Sequence, residues 1–159
     1  MNVREQLDSI EQVKDLPPLN IASGGRQHHR RYHLIGGGYI ALCNRTNPYM
    51  DFFNPVPYVI VRHIGLGGIG ILSYKKLKIG ADYIIALPSE GSVIGQVVHC
   101  SPNNLLPKFY RSTIRWYQSP SSTQILQWLP FIKPQDTIHF ERDYQLVMEA
   151  VTSSSPTPF

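Results

Sequence analysis

The chain has 159 residues, of which 42% are hydrophobic and 16% charged. Those are the values of a folded protein with one core, and they exclude a disordered or fibrous chain. A net charge of +4 is too small for a protein that coats bulk nucleic acid, and no run of about 18 apolar residues marks a membrane span.

In chain order, residues 2–15 come first. Val3, Leu7, Ile10 and Val13 stand four, three and three residues apart, which predicts an amphipathic helix. Pro17-Pro18 ends it, and Ser23-Gly24-Gly25 leads into the basic cluster Arg26-Gln27-His28-His29-Arg30-Arg31. The polar N-terminus has no secretory signal, so the expected setting is the cytoplasm. From Tyr32 to Tyr117 short runs of Ile, Val, Tyr and Leu alternate with turn residues: Gly36 to Gly38, Asn44 to Pro57, Gly65 to Gly68, Pro88 to Gly91, and Pro102 to Asn104. Strands at such spacing predict a barrel or sandwich. Thr123–Leu129 and Asp143–Val151 read as helices, and the Ser/Pro/Thr-rich tail Thr152–Phe159 as disordered. Cys43 and Cys100 lack metal-ligand spacing and are expected to be reduced, buried thiols.

The run Val59-Ile60-Val61-Arg62-His63-Ile64-Gly65-Leu66-Gly67-Gly68-Ile69-Gly70 has two readings. Gly65, Gly67 and Gly70 spell G-x-G-x-x-G after a β-branched run, the fingerprint of a dinucleotide-binding βα turn. On that reading Ile71–Ile79 is a helix, Asp82–Leu87 a strand and Glu90 the ribose-binding acid, as in an oxidoreductase. Alternatively the glycines make a tight turn between antiparallel strands. A parallel sheet needs helices on its faces, and no amphipathic helix lies between Ser92 and Tyr117, where Val93–Val98 and Thr113–Tyr117 read as strands. This favours the barrel.

With R-x-x-x-R at Arg26–Arg30 and the glycine turn downstream, the chain resembles the PilZ family of bacterial receptor domains for cyclic diguanylate (cyclic di-GMP). The resemblance continues through Ile69-Gly70-Ile71, Leu77-Lys78-Ile79-Gly80, Gly95 to His99, Tyr110 to Trp116 and the helix at Thr123–Leu129. It implies a six-stranded antiparallel β-barrel with an N-terminal helix and one or two C-terminal helices. It also implies that Arg26, Arg30 and Arg31 hold the nucleotide while His63, Gly65 and Gly68 shape a base pocket. The family has Asp or Asn where this chain has His63, and Ser where it has Gly65; Gly68 matches. A carboxylate accepts from guanine N1–H and N2–H2 together, whereas a neutral imidazole accepts once and glycine not at all.

The expected organisation is a helix and linker over 1–22, a barrel with its basic switch segment over 23–132, and a helix and tail over 133–159. The expected function is a non-enzymatic cyclic di-GMP receptor or adaptor that signals by ordering its arginine segment. It has no catalytic residues, cofactor or metal, and it works through a protein partner or a homodimer. The alternatives are a protein-interaction module that does not bind the nucleotide, and the oxidoreductase. His28, His29 and His33 lie close together but lack the helix that would aim them at a metal. His99 and Cys100 are strand neighbours that point to opposite faces. Tyr49, Phe52, Phe53 and Tyr58, among Pro48, Pro55 and Pro57, read as a loop packing its own aromatics over a barrel end.

Overall fold

The computed structural model describes residues 32–35, 38–46 and 58–154, with the side chains of residue 143 and of 146–154 left aside. Seven strands form one sheet: β1 (Tyr32–His33), β2 (Tyr39–Arg45), β3 (Tyr58–Ile64), β4 (Gly68–Ser73), β5 (Asp82–Ala86), β6 (Ser92–Pro102) and β7 (Tyr110–Trp116). The order is β1-β3-β2-β5-β6-β7-β4, and β4 pairs back onto β3. Six strands therefore close into a barrel, β1 is added beside β3, and every pairing is antiparallel. Closure removes the free edges that an open sheet of this size would expose.

Alternation fills the interior. Ala41 and Cys43, Val59 and Val61, Ile69 and Ile71, Tyr83 and Ile85, and Ile114 and Trp116 are all buried. Two bulges reset that alternation. Val61 faces Ile71 and His63 faces Gly70, so Arg62 is the extra residue on β3. Val97 faces Ile114 and His99 faces Thr113, so Val98 is the extra residue on β6. Each bulge shifts the inward positions by one, and Ile64 and Cys100 land on the inner side as a result. Cys43 is buried, Cys100 is only half-buried, and neither is in a disulfide. His99, by contrast, is exposed and bonds to Ser101.

Strands β1 and β2 run along the same side of β3 as one interrupted strand. Tyr32 and Tyr39 are seven residues apart while their partners Ile64 and Val61 are three apart, an offset of four between the two ladders. Gly38 brings the chain back at φ +121°, where a Cβ would lie 2.0 Å from the Val61 carbonyl oxygen. Only glycine fits there.

Beyond β7 come α1 (Ser122–Trp128), a 3-10 turn (Leu129–Phe131) and α2 (Pro134–Ser154). Ser121 caps α1 through a reciprocal box with Gln124, satisfying backbone donors that the first turn leaves open. Trp128 stacks on Trp116 at 6.2 Å, Phe131 packs on Tyr39, and Phe140 meets Tyr32 edge to face. The helices thus cap the barrel end where β1 and β2 begin. Gln127 ties α1 to the β5–β6 turn, accepting from the Ser89 and Glu90 amides and donating to the Glu90 carbonyl.

The expected six-stranded antiparallel barrel and both C-terminal helices are present, with one extra strand. Three expectations are corrected. Residues 71–73 continue β4 and no helix forms over 71–79, because β7 hydrogen-bonds along the whole of β4. The last helix begins at Pro134, nine residues earlier than the apolar spacing suggested, since proline is favourable in a first turn. It also runs to Ser154, into the stretch read as a tail. The N-terminal helix, the basic cluster and the aromatic loop up to Pro57 lie outside the described residues.

Candidate functional site: the β3–β4 hairpin and the strand that follows the arginines

The glycine run forms an antiparallel hairpin. Ile64 pairs with Ile69, and the Gly65 amide donates to the Gly68 carbonyl at 2.9 Å. Leu66, at the tip, is buried in the core. The Trp116 amide donates to the Gly67 carbonyl at 2.8 Å, which pins the tip to the end of β7. A dinucleotide-binding turn needs a helix N-terminus after the glycines to meet the pyrophosphate. Here a strand follows, so the fingerprint spacing is not realised.

Two glycines have specific steric reasons. A Cβ on Gly68 would lie 2.1 Å from the Ile114 carbonyl oxygen, and one on Gly70 would lie 1.8 Å from Cε1 of His63. The His63 imidazole therefore occupies the space a side chain at Gly70 would take. The ring also meets His33, edge to face at 5.4 Å between ring centres.

The bulge at Arg62 puts His63 on the outer side of the barrel. A row crosses the sheet there: His33, His63, Gly70, Thr113 and His99 are successive cross-strand partners. His99 is three strand spacings from His63, about 14 Å, too far to share a metal. Among the described residues no group of three His, Cys, Asp or Glu is placed to hold one. The next row is Gly68, Arg115, Gln96 and Asp82. Asp82 accepts a hydrogen bond from the Tyr117 hydroxyl, and that bond raises the phenol's pKa.

The structure brings His63, Gly65 and Gly68 together on one hairpin. It also buries all three, His63 to 3% exposure. Arg26, Arg30 and Arg31 lie outside the described residues. Sequence reasoning missed Arg115, the half-exposed cation across from Gly68. Its outward place on the closing strand was visible as an i, i+2 alternation with Arg111 and Thr113, but its partner strand was not. At the capped end Tyr39 accepts from the Trp128 indole at 3.2 Å. Burial pushes its phenol up to about 12, outweighing the opposing effect of that bond.

Among the described residues no helix is long and apolar enough to cross a membrane. Comparison with known proteins found no matching family model, no similar curated protein and no similar solved structure.

Proposed function

We propose that the chain is a non-catalytic receptor for cyclic di-GMP. Its arginine segment and β3–β4 hairpin would grip the nucleotide on the outside of a PilZ-like barrel. One observation carries this reading. Strand β1 begins at Tyr32, directly after Arg31, and its two residues pair with Ile64 and His63, the entrance to the glycine turn. Consecutive Cα atoms are about 3.8 Å apart, so Arg31 and Arg30 cannot lie more than about 8 Å in Cα position from Tyr32. Arg30 and Arg31 would thus have the hairpin within reach, and their forked guanidinium groups suit bidentate phosphate contacts and stacking on guanine. Arg115, across from Gly68, is a third cation on this side.

Calorimetric titration with cyclic di-GMP tests the reading, with NADH as the comparison ligand. The expected result is binding that is lost in Arg30→Ala and Arg26→Ala and weakened in Arg115→Ala. Gly65→Ser restores a hydroxyl on the turn and should tighten binding by about tenfold, the value of one recovered hydrogen bond. No binding by either the parent or Gly65→Ser overturns the proposal. A second reading, a barrel that acts only through protein contacts, is favoured by the burial of His63, which keeps its ring from an incoming base. It predicts no nucleotide response in any variant.

A further inference from the structure

One outer face of the barrel is apolar and open. Ile40 is 71% exposed, Tyr58 61%, Ile94 47% and Leu42 46%, and the half-buried Ile60 and Ile84 join them. Pairing makes the patch continuous across β3, β2, β5 and β6: Ile40 lies beside Ile60, Leu42 beside Tyr58, and Ile84 beside Ile94. Asn44 beside Ile84 links the two halves. Asp82, at its rim, already accepts from Tyr117. We infer that this face is the dock for residues 2–15 of the same chain, lying as a helix with Val3, Leu7, Ile10 and Val13 against the sheet.

Dimensions, area and tether support this occupant. Three strand spacings make the face about 14 Å wide. The stripe from Val3 to Val13 covers ten residues, about 15 Å of helix. Four strands by two or three outward positions give a few hundred Å2, within the range of functional patches on monomers. That is well short of the roughly 800 Å2 per partner that a stable dimer buries, which disfavours a second copy. Residues 16–31 can span up to about 50 Å, and they end at β1, on the same strand β3 that carries Tyr58 and Ile60. A tether of this length holds the helix at an effective concentration in the millimolar range. The remaining positions, among them Arg4, Glu5, Asp8, Glu11 and Lys14, are polar and leave a solvent face.

The test uses the full chain without nucleotide, so it stands apart from the receptor proposal. Methyl NMR spectra of the parent and of Leu7→Glu with Ile10→Glu should differ at Ile40, Leu42, Ile60, Ile84 and Ile94, and agree at the core residues Ile71 and Ile114. Reciprocally, Ile40→Glu with Ile94→Glu should speed tryptic cleavage at Arg4 and Lys14 about tenfold or more, as the segment spends more time open. Unchanged methyl signals on the open face overturn the inference. So do shifts that scale with protein concentration, which identify a second copy. Shifts produced by Phe52→Ser with Phe53→Ser instead would assign the face to the 47–57 loop, and likewise overturn it.

Discussion

The two halves of β3 differ in what covers their outer side. Before the bulge, Tyr58 to Val61 pair with β2; Tyr58 turns outward into solvent and Ile60 is half-buried beside it. After it, Arg62, His63 and Ile64 are buried whichever way they face, with β1 on one side and β4 on the other. One inserted residue thus separates a surface free to meet another element from a closed one that carries the glycine turn. Barrel interior alone does not stabilise the closed half. It depends on aromatic capping, on glycine clearance and on the return of the chain at Gly38.

The largest test of this contrast is removal of the cap. Trp128→Ala deletes a buried ring stacked on Trp116 and should cost about 3–5 kcal/mol, read from urea midpoints. A smaller loss would mean that the closed half stands without its helices.

Alkaline pH gives the next effect. A phenol held near 12 when folded and near 10 when unfolded favours the native state fully below pH 10. That contribution is lost as pH rises through 12, about 2–3 kcal/mol for a shift of two units. Stability measured from pH 9 to 12 should fall in the parent and fall less in Tyr39→Phe.

Gly70→Ala should cost about 1–3 kcal/mol by overpacking, because its new methyl meets the His63 ring. Adding His63→Ala should recover part of that loss, and the non-additivity in a double-mutant cycle measures the contact. Strictly additive losses would show that the ring and Gly70 do not compete for space.

The smallest effect belongs to the exposed edge of the cap. Gln127→Ala removes three hydrogen bonds between α1 and the β5–β6 turn, yet they are exposed. It should cost about 1 kcal/mol and leave the Trp116–Trp128 stack intact.

Much of the architecture was legible from turn chemistry and alternation. Gly65 to Gly68 and Pro88 to Gly91 do separate strands, and the run after Ser121 is a capped helix. What could not be read was register. The extra residues at Arg62 and Val98, and the four-residue offset between β1 and β2, depend on which strand lies opposite. A partner strand is a tertiary fact absent from local spacing. The same ignorance hid the site's geometry. His63 looked like an outward base contact, and it does face outward, but the glycine two residues into β4 lets its ring settle against the sheet. Arg115 gained its relevance only when β7 was found beside Gly68. The dinucleotide fingerprint failed for a related reason, since glycine spacing is shared by a βα turn and a β-hairpin and only the following element separates them.

The capped end also has an optical consequence. The chain has two tryptophans, and they lie ring on ring with planes 10° apart. Its indole emission and the indole part of its near-ultraviolet ellipticity therefore originate from a single join, the seat of α1 on the end of β7. A change in that light reports α1 lifting from the barrel before any strand separates. Comparing it with the far-ultraviolet signal of the sheet would time the cap's release against the opening of the barrel.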